Sequence, residues 1–180
     1  MRTPFGPDVS TTENGTKRYS INTSLALPNG PNQNLNQFTE IIRVLDEFTK
    51  KFAFDNSELW FGKKHKMDVI EEFYKSAEKK SKNDRYANTL KLKLPVKMVG
   101  PPEAQKPIPQ FEIYDDSKIR KDIVVEHDID LSCLENGGDV IGLIQCTGVW
   151  FVGKTQLGLG WKVVQLKTFK SRKNCWIFNC

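Results

Sequence analysis

The chain has few residues that could cross-link it or hold a metal ion. Its 180 residues include only four cysteines and two histidines. The spacing of the cysteines fits neither a disulfide framework nor a complete zinc site, and they are Cys133, Cys146, Cys175 and Cys180. We therefore expect reduced thiols in an intracellular protein that uses no metal and no cofactor.

Long apolar runs are also missing. No stretch approaches the roughly 20 apolar residues that a transmembrane helix requires, and no apolar segment follows Arg2 as a secretory signal would need. We expect no membrane partner. The composition, 38% hydrophobic and 27% charged, is that of a globular protein, and the length suits one domain.

Acidic residues are absent from the last part of the chain. Residues 154–180 contain six lysines and arginines and no acid, whereas residues 111–139 contain nine acids and three bases. Together with a net charge of +5, this segregation favours a polyanionic partner such as nucleic acid. The alternative explanation is that the lysines are ordinary solvated surface residues.

Catalytic motifs are weakly represented. Residues 148–155 match the spacing of a phosphate-binding loop, but the middle residues are bulky or β-branched and favour an extended backbone. His127 and Cys133 could form a base and a nucleophile, yet nothing in the sequence orients one toward the other. We therefore expect no catalytic residues and no enzyme.

Hydrophobic periodicity predicts two helices. Apolar residues at steps of three and four predict a helix over residues 35–54 and a second over residues 67–80, with a short helical turn and a basic loop over residues 55–66. The face of the first helix that we expect to be buried consists of Leu35, Phe38, Ile41, Ile42, Leu45, Phe48 and Phe52.

Alternating apolar residues predict a sheet. The strands are expected over residues 18–27, 89–94, 111–114, 123–125, 140–152 and 159–169. Prolines mark residues 99–109 as a loop, and glycines in the last two strands predict bulges or bends. We expect an α+β, mainly β fold, in which a flexible arm (1–17) precedes a domain (18–169) and a basic, apolar tail (170–180) follows it.

Aromatic and basic residues converge in the last two predicted strands. Trp150 and Phe151 are adjacent and should therefore point to opposite faces of the sheet. Strict alternation along the return strand predicts one face that carries Trp161, Val163, Gln165, Lys167 and Phe169. Proteins that bind single strands stack bases on such rings and attract phosphates with such lysines.

Ten residues are therefore candidates for nucleic-acid binding. We expect bases to stack on Trp60, Trp150 and Trp161, and phosphates to contact Lys63, Lys64, Lys91, Lys93, Lys154, Lys162 and Lys167. The alternative is that some of these rings pack in the core.

Four segments of the chain resemble one protein family. They read RTPFG with RYSI (2–6 and 18–21), NSELWFGK (56–63), TLKLKL (89–94), and IQCTGVWFVGK with GLGWKVVQLK (144–154 and 158–167). They are similar to the small single-stranded-DNA-binding proteins of nucleocytoplasmic large DNA viruses. Those proteins are in turn similar to the OB-fold single-strand-binding proteins of short-tailed phages.

The resemblance implies a five-stranded OB-type barrel with two helices inserted between its early strands. It implies non-sequence-specific binding of single-stranded DNA, with RNA as the other candidate ligand, during viral DNA replication, recombination or repair. It also implies a homodimer and replication proteins as candidate partners, in the host cytoplasm or nucleus or in the virion. The chain departs from the phage proteins at residues 170–180, which are basic where those proteins carry an acidic tail. The alternative function is a structural or interaction protein, for instance a minor virion component.

Overall fold

The computed structural model describes residues 1–27, 30–83, 86–101, 104–134 and 136–169. Within these ranges the helices are α1 (Gln33–Asp55), α2 (Ser57–Phe61) and α3 (Met67–Phe73). The strands are β1 (Arg2–Thr3), β2 (Pro7–Thr11), β3 (Lys17–Ser24), β4 (Glu78–Lys79), β5 (Thr89–Leu94), β6 (Val96–Val99), β7 (Lys106–Pro109), β8 (Glu112–Tyr114), β9 (Val124–Val125), β10 (Asp128–Ile129), β11 (Gly138–Val152) and β12 (Gln156–Phe169). The expected α+β, mainly β class is confirmed. Among the described residues, no helix has the length and apolar character needed to cross a membrane.

Eight of the strands form one large sheet. β3 pairs antiparallel with β1, β2 and β5, and β1 also pairs antiparallel with β11. β11 and β12 form a long antiparallel hairpin, and β12 runs parallel to both β5 and β8. β4 pairs with β5, while β6–β7 and β9–β10 form two separate ribbons.

The main core combines buried residues of this sheet, of α1 and of the segment 111–134. Leu90, Leu92 and Leu94 of β5 are buried and the lysines between them are exposed, as the alternation predicted. These leucines pack with Ile21 of β3, Val163 of β12 and further apolar residues in one cluster. Because each fully buried aliphatic side chain contributes roughly 1.5–3 kcal/mol, this cluster fixes the position of β5 beside β12.

α1 confirms the predicted helix and buries the expected face in part, because Leu35 and Ile42 are buried and Phe38 and Leu45 pack partly buried against the core. Its buried positions are Leu35, Thr39, Ile42, Asp46, Thr49 and Ala53. Ile41, Phe48 and Phe52, which we expected to be buried, are 56%, 65% and 45% exposed. The buried face includes polar side chains because they have partners there: the Asp46 carboxylate accepts hydrogen bonds from the Tyr74 hydroxyl at 2.6 Å and the Ser76 hydroxyl at 2.5 Å.

The second predicted helix is shorter than expected. α3 ends at Phe73, and the chain from Tyr74 onward is extended. The Lys75 N–H donates to the Leu157 carbonyl at 2.8 Å, and β4 then pairs with β5. These contacts with two strands replace the helical hydrogen bonds that the periodicity predicted for residues 74–80.

Two segments that were expected to be irregular form strands. Residues 1–17, predicted as a flexible arm, contain β1 and β2, and Arg2 lies opposite both Asp139 and Ser24. Residues 99–109, predicted as a loop, contribute to the β6–β7 ribbon. A two-stranded ribbon tolerates proline because half of its backbone N–H groups face away from the partner strand. The predicted tail at residues 170–180 lies outside the described residues.

A carboxylate on β10 anchors that strand to β3. Asp128 accepts hydrogen bonds from the Lys17 ammonium and, at 2.6 Å, from the Tyr19 hydroxyl. These bonds, the one from Lys17 first, lower the pKa of Asp128 to about 2.

We expect Asp128→Asn to lower the free energy of unfolding at pH 7 by at most about 1 kcal/mol, because solvent screens this half-exposed pair. Since the pKa of the folded-state carboxyl lies below its ordinary value, the contribution is present above about pH 4 and is lost as the pH falls toward about 2. Urea unfolding of the two proteins across this range measures the difference. A difference that stays constant down to pH 2 would contradict the assignment.

Candidate nucleic-acid interface

A groove lies between β5, the first half of β12 and the extended residues 74–79. Its volume is about 260 Å³, and it is lined by Lys75, Ser76, Ala77, Lys79, Lys91, Lys93, Trp150, Leu159, Gly160 and Trp161. Four of these ten residues are lysines and none is acidic. β5 and β12 share only the pair Lys93↔Lys162, so the two strands separate beside the groove.

The lysines of the groove are placed by strand geometry. Lys91 and Lys93 face outward because the leucines beside them on β5 face the core. Lys79 lies opposite Thr89 and therefore projects from the same face of the sheet as Lys91. Among the described residues Lys79 and Lys93 form no ion pair, and the Lys91 Nζ lies 3.5 Å from the Asp8 carboxylate. The groove therefore concentrates positive charge.

Residues 74–79 form the outer wall of the groove, and α1 holds them in place. Burial, and then the hydrogen bond to Asp46, raise the pKa of Tyr74, so its hydroxyl remains a donor. Glu78 is the one acid in this wall, and Arg43 of α1 binds it through two hydrogen bonds of 2.8 and 2.9 Å. The hydrogen bond from Arg43 is the main cause of the lowered pKa of Glu78. This carboxylate is thus held on the α1 side and does not line the groove.

Trp150 packs against two glycines of β12. A Cβ on Gly158 would lie 2.8 Å from Trp150 Cζ2 and 2.4 Å from the Lys75 carbonyl oxygen, and one on Gly160 would lie 3.6 Å from Trp150 Cδ1. We expected these glycines to produce bulges, but they make room for the half-buried indole. The glycine that does lie at a bulge is Gly148. It has a positive φ of +92° and lies where the pairing register shifts.

Trp161 is buried, whereas we expected it to be uncovered. It is 7% exposed, belongs to the main core, and meets Phe38 edge-to-face with the ring centroids 6.4 Å apart. Its Nε1–H is enclosed and has no hydrogen-bond partner among the described residues. A ring enclosed in this way has no free face for a base, so the expected stacking role is wrong: Trp161 is a core residue that borders the groove.

Two irregularities in the β11–β12 hairpin change which side chains share a face. Thr147 and Val164 are left out of the pairing where the register shifts. Leu166 is consequently buried together with Val163, and Gln165 lies on the outer face. The expected grouping of Trp161 with Gln165 and Lys167 is therefore wrong, because strict alternation does not continue through a bulge.

Two further candidate lysines lie along β12. Lys162 is opposite Lys93 and continues the row of lysines beside the groove. Lys167 lies farther along the strand, beside Tyr114, and its Nζ is 5.0 Å from the centroid of the Phe169 ring. Only Lys162 of this pair adjoins the groove.

The other four candidates gather at the end of the β11–β12 hairpin. Trp60 of α2 packs edge-on against Phe151, with the ring centroids 5.2 Å apart. Lys63 and Lys64 are exposed just beyond α2, and the Lys154 Nζ lies 3.9 Å from where a Cβ on Gly62 would be. The structure therefore divides the ten candidates between the groove, the hairpin end and Lys167.

Sequence reasoning missed two lysines of the groove, Lys75 and Lys79. Both were assigned to a helix that the structure ends at Phe73. Residues 74–79 carry no alternating pattern, and only their contacts with β5 and β12 make them extended. No local signal in the sequence could have identified this wall.

In the described part of the chain, no group of three or more histidine, cysteine, aspartate or glutamate side chains is placed so that it could hold a metal ion. Comparison with protein-family models, curated proteins and solved structures finds no match to this chain.

Proposed function

We propose that the protein is a non-enzymatic single-strand-binding protein whose ligand is single-stranded DNA. The observation that carries the proposal is the groove, which is lined by four lysines and Trp150 and by no acidic residue. Such a site suits a flexible polyanion with flat bases. It offers no set of side chains arranged to read a particular sequence.

Two physical effects would supply the affinity. Each phosphate neutralised by a lysine releases counterions, which gives a salt slope of about 0.7 per contact for single strands. Stacking of a base on an aromatic ring contributes roughly 1–3 kcal/mol. Trp150 is the ring in the groove that could stack on a base, because it is partly exposed, whereas Trp161 is enclosed.

The strand order supports an OB-type barrel, the fold that we propose. The pairings run from β1 to β3, β5, β12 and β11 and then return from β11 to β1. Only the β5–β12 pairing in this circuit is parallel. Three helices, in place of the two expected, lie between β3 and β5. OB-type barrels are small, five-stranded and partly open, and they bind oligonucleotides.

The biological setting rests on the resemblance to viral single-strand-binding proteins. It places this activity in viral DNA replication, recombination or repair, inside the host cell. A homodimer and contacts with replication proteins belong to the same proposal, and RNA is the competing ligand.

A titration of labelled oligo-dT followed by fluorescence anisotropy tests the function. We expect binding at low salt, a steep loss of affinity as salt rises, and quenching of tryptophan fluorescence by oligonucleotides but not by mononucleotides. Absence of binding at low salt would refute the proposal. Affinity that is independent of salt would refute its electrostatic basis. Oligo-U in place of oligo-dT compares RNA with DNA.

One observation favours the second candidate function, an interaction protein. The outer face of α1 exposes Ile41, Val44, Phe48 and Phe52, and Leu59 of α2 is 81% exposed. Contiguous exposed apolar surface commonly marks a protein contact site. This function predicts concentration-dependent association in sedimentation experiments and no response of the tryptophan fluorescence to oligonucleotides.

A further inference from the structure

The end of the β11–β12 hairpin carries a compact basic and aromatic surface, which we call the hairpin-end cluster: Lys63, Lys64, Lys154, Trp60 and Phe151. Phe151 is 44% exposed and packs against Trp60 and also Phe61, with centroid separations of 5.2 and 6.1 Å. Ring contacts of this kind fix the side chains relative to one another.

The loop that carries two of these lysines is held in one conformation. Gly62 ends α2 in the left-handed conformation with φ of +80°, and its N–H donates to the Glu58 carbonyl at 2.9 Å. The His65 N–H donates to the Ser57 hydroxyl at 3.1 Å, and the His65 ring packs on Phe61. Lys63 and Lys64 are thereby exposed between two anchored positions.

The charges of the cluster are uncompensated. Within the described ranges, none of Lys63, Lys64 and Lys154 takes part in an ion pair, although six such pairs occur elsewhere. The proximity of the Lys154 Nζ to Gly62 brings the hairpin turn against the loop. The Lys154 ammonium therefore lies beside Gly62, and the exposed residues Lys63 and Lys64 follow Gly62 directly in the chain.

The groove and the hairpin-end cluster lie on opposite sides of the same hairpin. Trp150 packs over Gly158 on the groove side, and the adjacent Phe151 faces α2. Trp150 lies two residues before the end of β11, and Lys154 lies in the turn that follows this strand. Lys75 borders the groove at this end, because its N–H donates to the Leu157 carbonyl. A chain that leaves the groove past Lys75 therefore reaches Lys154 within a few nucleotides.

We propose that the hairpin-end cluster is a second contact site for the same single strand, used only by strands long enough to pass from the groove around the hairpin. This inference rests on the proposed function. It assigns phosphate contacts to Lys63, Lys64 and Lys154 and a base contact to Phe151. The affinity of the protein should then rise with oligonucleotide length beyond what the groove alone accounts for.

The test compares wild type with the triple variant Lys63→Ala/Lys64→Ala/Lys154→Ala on oligo-dT of about 4, 8 and 16 nucleotides, the range of site sizes known for single-strand-binding domains. We expect the variant to lose at least about tenfold in affinity for the longest strand and less than about twofold for the shortest. Its salt slope on the longest strand should be smaller by about 2, because three contacts are lost.

A matched control removes three exposed lysines elsewhere, in the variant Lys97→Ala/Lys106→Ala/Lys118→Ala, and should lower affinity little at any length. The second site would be overturned if the triple variant lost affinity equally at every length, or lost none for the longest strand. In either case, binding by wild type would still support the proposed function. If wild type binds no length at all, the proposed function fails and this inference fails with it. Circular dichroism of both variants checks that they are folded.

Discussion

Replacing Trp161 with alanine should lower the free energy of unfolding by about 3–5 kcal/mol, as removal of a large core aromatic does. The ring is buried in the main core and packs edge-to-face on Phe38 of α1. The same change at Trp150 should cost less stability, because Trp150 is half-buried. Its effect should instead be on binding, through the loss of roughly 1–3 kcal/mol of stacking. Chemical denaturation and oligo-dT titration of both variants separate the two roles.

Trp161→Phe keeps the prediction testable if the alanine variant does not fold. Phenylalanine retains an aromatic ring beside Phe38 and removes an indole N–H that has no partner in the described residues. We expect the affinity of this variant to stay within about twofold of wild type, since the enclosed ring offers no face for stacking. An affinity loss as large as that of Trp150→Ala would contradict the assignment of Trp161 to the core.

Reversing the charge of the two lysines on β5 should have the largest effect on binding. In Lys91→Glu/Lys93→Glu, two phosphate contacts disappear, which lowers affinity roughly 15-fold at about 0.15 M salt through counterion release alone. Repulsion between the new carboxylates and the phosphates adds to this loss. The salt slope should fall by about 1.4. Stability should change little, because both side chains are exposed and only Lys91 has an ion pair, at 3.5 Å from Asp8.

The control for charge reversal is Lys97→Glu/Lys106→Glu on the β6–β7 ribbon. It changes net charge by the same amount, and neither residue lines the groove. An equal loss of affinity in the two variants would show that net charge, and not the groove, governs binding. An unchanged affinity in the β5 variant would exclude the groove as the site.

The sequence predicted the elements whose pattern is local. α1 has a long stripe of apolar residues and Asn32 as its N-cap, whose side chain accepts from the Leu35 N–H at 3.0 Å. β5 alternates without interruption. In both cases the backbone conformation follows from residues close in the chain. The face that α1 buries followed only in part. Leu35 and Ile42 are buried as expected, but Asp46 is also buried, because it accepts hydrogen bonds from Tyr74 and Ser76, which are distant in sequence.

The site was predicted only in part for the same reason. Lys91, Lys93 and Trp150 were identified, and the structure brings them to one groove. Lys75 and Lys79 were missed because tertiary pairing overrides the helical pattern of residues 74–80. The predicted face of Gln165 and Lys167 was wrong because the register shifts at Val164, and the residue pattern of the strand does not reveal this shift.

The walls of the groove come from segments that lie far apart in the sequence. Residues 75–93 supply the lysines, whereas the surface beneath them belongs to β12, and β1 pairs with β11 from the opposite end of the described chain. Contacts between such distant residues slow folding, because the closure of long loops must precede the gain from pairing. A growing polypeptide therefore cannot assemble the groove before its closing hairpin has left the ribosome. Under the proposed function, a nascent chain that ends before β12 should therefore bind no oligonucleotide.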